Sequence, residues 1–188
     1  TYNAGSITVP AGVTSFTVSY TTVNDVLNEV SETTTLTVGG AVGTGTITDN
    51  DPITITVGND TKVEGNNLIQ TVTLSNASSS AQMYAISLTG NTATAGTDFD
   101  NTLANAVFSN GVTYDAGTGQ ITVPAGVTSF TVGYATTQDN IFEADETTTL
   151  TIGGSIGTGT ISNDDAVPTV TVGDNAQVEG TNLVHRND

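Results

Sequence analysis

The chain has 188 residues, 19 acidic side chains against 2 basic ones, a formal net charge of -17 and no cysteine. Such a charge repels phosphate backbones and anionic head groups, and Lys62 and Arg186 form no basic patch, so nucleic acid and membrane surfaces are disfavoured as partners. No disulfide can form, no apolar run reaches the roughly 18 residues of a bilayer span, and no signal-like segment opens the sequence, so any secretion signal is expected to lie outside it.

Read in chain order, the sequence repeats itself. ITVPAGVTSFTV at 7–18 recurs letter for letter at 121–132, a shift of 114. TTTLTVGGAVGTGTITDND at 33–51 recurs as TTTLTIGGSIGTGTISNDD at 147–165, and TITVGNDTKVEGNNL from Thr54 recurs as TVTVGDNAQVEGTNL from Thr169, now shifted by 115. These offsets divide the chain into the second half of one repeat at 1–51, a complete repeat at 52–165 and the opening of a third at 166–188. A period near 114 residues is the size of a whole domain and longer than a solenoid unit, which predicts beads in tandem. His185 to Asp188 leave the template of Gln70 to Thr73 and are expected to be inert tail.

Within the complete repeat the strand-like runs are 53–57, 68–74, 83–88, 106–109, 120–123, 128–136, 147–152 and 157–162. Phe130, Val132 and Tyr134 alternate with Thr131 and Gly133, the period of a half-buried antiparallel strand. Pro124-Ala125-Gly126 and Gly153-Gly154 punctuate the runs as tight turns. Short strands at this spacing without a helical pattern predict an all-β fold: immunoglobulin-like antiparallel β-sandwich repeats in tandem. The partial pieces leave sheet edges and apolar faces to be covered, which predicts strand pairing with a neighbouring chain or with sequence outside 1–188.

Every glutamate occupies a repeat position: Glu29 and Glu32 in the first piece, Glu64, Glu143 and Glu146 in the complete repeat, Glu179 in the third. Asp139 opens the run to Glu146 as Asp25 opens the run to Glu32, and Asp164-Asp165 closes the repeat as Asp49 and Asp51 close the first piece. Connections alternate between the two ends of a sandwich, so V-E-G, G-T-D-F with Asp98, the 139–146 loop and the closing N-D-D can share one pole. There about seven carboxylates would repel by a few kcal/mol per close pair, with almost no lysine or arginine to offset them. A hard divalent cation is the natural partner. Ca²⁺ takes six to eight oxygens in adaptable geometry, Mg²⁺ wants a tighter octahedron, and zinc or copper would want cysteine or histidine, of which the chain has only His185.

V-E-G, G-T-D-F, D-N-I-F-E-A-D-E and N-D-D, in this order, resemble the Calx-β domain of sodium/calcium exchangers and of tandem arrays in large bacterial RTX-type surface adhesins. The resemblance implies calcium ligands at Glu64, Asp98, Asp139, Glu143, Glu146, Asp164 and Asp165, at Asp25, Glu29, Glu32, Asp49 and Asp51 in the first piece, and at Glu179, which matches Glu64. Where the family often ends in three aspartates, this chain carries Asn50 and Asn163. The expected role is a calcium-rigidified extender of a secreted, extracellular adhesin at the bacterial surface, in cell adhesion and biofilm formation, with adjacent repeats of the array as partners. The alternatives are a calcium-dependent module binding sugar or protein, and a calcium sensor.

Enzyme activity is not expected. One histidine in the tail cannot build a Ser-His-Asp triad, and a Glu143–Glu146 acid–base pair would lack aromatic sugar platforms. Asp60, Asp100, Asp115, Asp174 and Asp188 read as ordinary surface or turn residues.

Overall fold

The computed structural model describes residues 2–3 and 5–186; Asn187 and Asp188, and with them the reading of Asp188, lie outside the described residues. The chain divides into two compact units, Thr1–Val26 with Ser31–Thr48, and Leu27–Val30 with Asp49–Asp188. Strands account for all its regular structure among those residues.

The first unit holds two hairpins: β1 (Tyr2–Asn3) with β2 (Ser6–Ile7), and β3 (Glu32–Val38) with β4 (Ala41–Ile47), in register from Glu32 opposite Ile47 to Val38 opposite Ala41. Gly39 and Gly40 close the second hairpin, both at positive φ (57° and 85°), the two-residue turn that matches strand twist and that only glycine enters freely.

The second unit contains the complete repeat. Its strands are β5 (Ile55–Val57), β6 (Asp60–Val63), β7 (Leu68–Leu74), β8 (Gln82–Gly90), β9 (Val107–Phe108), β10 (Thr113–Asp115), β11 (Gln120–Val123), β12 (Ser129–Tyr134), β13 (Glu146–Ile152) and β14 (Ser155–Ser162). One sheet runs β5-β7-β12-β9 and the other β10-β11-β8-β13-β14-β6. The first segment splits between the sheets: β5 pairs antiparallel with β7, whereas β6 crosses over and pairs parallel with β14. This strand order is that of an immunoglobulin-like sandwich.

β7 shows why the sandwich closes. Leu68, Gln70, Val72 and Leu74 point inward and are buried while Ile69, Thr71 and Thr73 are exposed. They meet Phe130, Val132 and Tyr134 of β12 and Leu150 and Ile152 of β13 in a single apolar core. Gln70 is tolerated there because both ends of its amide are satisfied: Tyr134 Oη donates to its Oε1 (3.1 Å) and its Nε2 donates to Gly58 O (3.0 Å). Tyr134 Oη and Thr148 Oγ1, 2.7 Å apart, join the two sheets, and burial pushes the Tyr134 phenol above its ordinary pKa. Gly159 faces this pair, and a Cβ there would collide with both hydroxyls.

All eight expected strands are present, and the sequence reading missed two. β6 reads as a polar loop, yet Gly159–Ser162 of β14 organises Asp60–Val63 into a parallel ladder about a hundred residues away in sequence. β10 is a three-residue edge piece against β11. One template contact recurs near the tail. In the complete repeat Gly58 N donates to Thr71 O (2.7 Å), and at the equivalent positions Gly173 N donates to Arg186 O (3.1 Å). His185 Nδ1 lies 3.2 Å from Gly173 O, where Gln70 meets Gly58 O. The third piece forms none of the template's strands over 166–186, but it keeps this contact, and His185 takes the place of Gln70: another polar side chain reaches the same carbonyl although the letters differ.

Candidate metal centre

Backbone pairing builds the acidic pole before any side chain is considered. β6 and β14 run in parallel to Val63 opposite Ser162, and Glu64 N then donates to Ser162 O (3.1 Å), so Glu64 and Asp164 leave their strands side by side. Gly65 turns the chain away at φ 75°, and its N–H donates to Thr137 O (3.1 Å), tying this corner to the end of β12. Asp98 arrives on a loop held to the same corner: Thr137 N donates to Asp98 O (2.8 Å), and buried Phe99 packs edge-on against Tyr134 at 6.3 Å between ring centroids. Glu146 is the first residue of β13 and Glu143 lies three residues ahead of it, so Glu146 starts a strand where a loop residue was expected.

The result is two acidic groups. Glu64, Asp164 and Asp165 each offer a carboxylate oxygen within 4.8 Å of the others, and Asp98, Glu143 and Glu146 do the same. Asp139 lines one small cleft with Glu64, Asp98, Glu143 and Glu146. All seven acids expected at the pole of the complete repeat are thus brought to it.

The cluster is short of positive charge. Lys62 is paired with Asp60 at 3.3 Å. The donors that reach the acids are mostly neutral: Asp164 N to Glu64 Oε1 (3.1 Å), Gln138 Nε2 to Asp164 Oδ1 (3.0 Å) and Thr94 N to Asp98 Oδ2 (2.5 Å). Desolvation, a hydrogen bond with Asp98 and the charges of Asp98, Glu143 and Glu64 raise the Glu146 pKa to about 7. For Glu64 the Asp164 amide pulls the pKa down, but desolvation and the charges of Asp165, Asp164 and Asp139 outweigh it, and the net shift is upward. Asp165 Oδ2 is buried with no hydrogen-bond partner, although its carboxylate belongs to the first acidic group. An orphaned carboxylate oxygen is costly, and a cation at that point would satisfy it. The donor set is carboxylates, amides and backbone carbonyls without sulfur or imidazole, which suits a hard ion of calcium's size and coordination number. Such an ion would supply charge neutralisation and a common anchor for four chain segments.

Two residues were missed by the sequence reading. Asn163 Oδ1 accepts from Glu143 N (3.2 Å) and its Nδ2 donates to Asp165 O (3.0 Å), so it spaces the two acidic groups. Gln138 braces Asp164. Neither carries a charge, and the only available signal was the place of Asn163 in the N-D-D motif. Asp100 and Asp115 behave as turn residues: hydrogen bonds from Asn105 and Thr102, and from Gly117 and Thr118, hold their pKa values below the ordinary range.

The remaining expected ligands are arranged differently. Among the described residues, Asp25, Glu29, Glu32, Asp49, Asp51 and Glu179 belong to no group of three acids close enough to share an ion. Asp49 Oδ2 instead accepts from Asn28 Nδ2 (3.3 Å), and the Asp51 carbonyl accepts from Asn28 Nδ2 (3.2 Å) and Asn76 Nδ2 (2.9 Å). Glu179 is exposed.

No family model matches the chain, and no curated protein does. Among solved structures it is similar to calcium binding domain CBD12 of CALX1.1 (20% identity, 64% of this chain and 50% of that one, TM-score 0.49). It is also similar to the apo-form Calx CBD1 domain (19% identity, 60% and 98%, TM-score 0.47) and to CBD12 from CALX1.2 (20% identity, 59% and 45%, TM-score 0.46). The chain spans about half the length of the CBD12 structures.

Proposed function

We propose that the chain is a calcium-binding structural segment of a secreted, extracellular bacterial adhesin, in which repeats like 52–165 extend a distal module away from the cell. The observation that carries the calcium reading is the pair of acidic groups at one pole, one of which contains the buried, unpartnered Asp165 Oδ2. Ions held by Glu64, Asp164 and Asp165 and by Asp98, Glu143 and Glu146 would tie the last strand of the repeat to the end of β6, and the 98 loop to the start of β13. The anchored aspartates lie immediately before the segment that begins the third piece, so metal would also stiffen the exit of the chain from the domain. The role asked of the ion is mechanical, and adjacent repeats are the partners it implies.

The extender reading is tested by small-angle scattering of the whole chain in EDTA and in millimolar calcium. Calcium is expected to increase the maximum dimension and to narrow the distribution of distances. Identical curves, together with demonstrated calcium uptake, would leave a calcium-binding domain without the stiffening role.

A further inference from the structure

Asn110-Gly111 is the one Asn-Gly pair of the chain, and among the described residues Asn110 is the only non-glycine at positive φ (56°), followed by Gly111 at 74°. Val112 N donates to Ser109 O across the pair (3.2 Å), closing the two-residue left-handed turn that Asn-Gly fills most readily. The turn carries the chain from β9, at the edge of one sheet, to β10, at the edge of the other, and the Phe108 and Tyr114 rings stack across it at 6.5 Å. Both turn residues are exposed, and Asn110 Nδ2 donates to Ser129 O (2.6 Å) next to the bond from Ser109 N to Thr131 O (3.2 Å). A Cβ on Gly111 would meet nothing nearer than Pro124 Cγ at 3.5 Å, so the left-handed φ, and not lack of space, calls for glycine there.

Asparagine amides are thermolabile, and one followed by glycine is the most so, because no side chain shields the next nitrogen. The Gly111 nitrogen, once hydroxide has taken its proton, attacks Asn110 Cγ. The new N–C bond closes a five-membered imide while the Cγ–Nδ2 bond breaks, and ammonia leaves with a proton from water. A second water opens the ring at Cγ to give aspartate, or at the main-chain carbonyl to give isoaspartate, whose backbone runs through the former side chain. Nothing is oxidised or reduced: asparagine and water become aspartate or isoaspartate and ammonia. Two features of the fold act on this reaction in opposite directions. Among the described residues nothing accepts from the Gly111 N–H, so no hydrogen bond holds its proton. Ring closure, however, needs Cβ of Asn110 and the Gly111 nitrogen on the same side of the Cα–C bond. A left-handed residue holds them on opposite sides, and the bond to Ser129 O fixes the amide there. We propose that Asn110-Gly111 is a latent deamidation site, shut while the turn is in place and opened when β9 leaves β12. β9 is two residues long and lies at a sheet edge, so this opening is local and costs much less than unfolding the repeat. The change is one-way. Aspartate sets a carboxylate against Ser129 O where a donor stood, and isoaspartate adds a methylene to a two-residue turn, so neither product restores the clasp.

The test incubates the whole chain in one mildly alkaline buffer, folded and in guanidinium chloride beyond its unfolding transition, with conversion read by peptide-mapping mass spectrometry and by enzymatic methyl labelling of isoaspartate. Conversion at Asn110 is expected to be at least tenfold faster in the unfolded chain and to lead that of every other asparagine. Denaturant well below the transition should already speed it, because the reaction follows the population of the locally open form. An Asn110→Gly chain, which suits the same φ, should give no label from this turn, and an Asn110→Asp chain should melt at a lower temperature than the parent. Equal rates in the folded and unfolded chain would overturn the shut turn. An unfolded chain in which other asparagines convert ahead of Asn110 would overturn the site, and acceleration confined to the global transition would overturn the local opening of β9.

Discussion

Removing calcium is expected to lower the melting transition of the complete repeat by roughly 15 °C or more. An ion held at a thousand times its dissociation constant stabilises the folded state by about 4 kcal/mol, and a domain of about 100 residues shifts by roughly 4–8 °C per kcal/mol. The physical source is the repulsion among Asp98, Glu143 and Glu146 on one side and Glu64, Asp164 and Asp165 on the other, relieved when a divalent charge enters. Magnesium should do much less, because loop carboxylates on four segments cannot readily contract to its short octahedral bonds. Glu146→Ala separates the two terms. It removes a strained carboxylate and should leave the metal-free protein as stable as the parent or more so, while cutting the calcium-induced shift by half or more. Differential scanning calorimetry in EDTA, magnesium and calcium reads all of these. A parent transition indifferent to calcium would remove the metal from the account.

The second expected effect is an inverted pH dependence of the metal-free protein. Glu146 has its pKa raised from 4.5 to about 7 in the fold, so protonation favours the folded state. Its contribution is complete below the unfolded value and is lost as pH rises through about 7. A shift of that size corresponds to at most about 3–4 kcal/mol, and solvent at the cleft mouth reduces it to roughly 1–2. Glu64 is shifted in the same direction and adds to the trend. Asp100 and Asp115 are lowered instead, and what they contribute disappears only at more acid pH. In EDTA the melting temperature should therefore fall by several degrees between pH 5 and pH 7.5. In calcium the sign reverses, since protons and metal compete for the same oxygens. A metal-free stability that rises over this interval would show that Glu146 and Asp98 do not share the strained contact.

The repeat was legible in the letters because copies at shifts of 114 and 115 expose which positions matter, and the alternation of β12 gave its inward face directly. β6 was not legible: Asp60-Thr61-Lys62-Val63 has no apolar period, and its strand state comes from β14, remote in sequence. The segment 7–18 shows the same limit from the other side, since letters identical to 121–132 stay largely irregular there. At the site, the carboxylates of 52–165 announced themselves by charge and position, whereas Asn163 and Gln138 brace them as neutral amides that composition cannot single out. The acids of the first piece were expected from the same motifs, yet motif position alone does not gather them. Asn28, at the place of Phe142, binds Asp49 and the Asp51 carbonyl instead.

The account is tested most directly by a crystal structure of this chain grown in millimolar calcium, with anomalous scattering used to identify the ion. Calcium bounded by Asp98, Glu143 and Glu146 and by Glu64, Asp164 and Asp165, with Asp165 Oδ2 among its ligands, is the predicted result. Those six carboxylates splayed apart around nothing but water would contradict it.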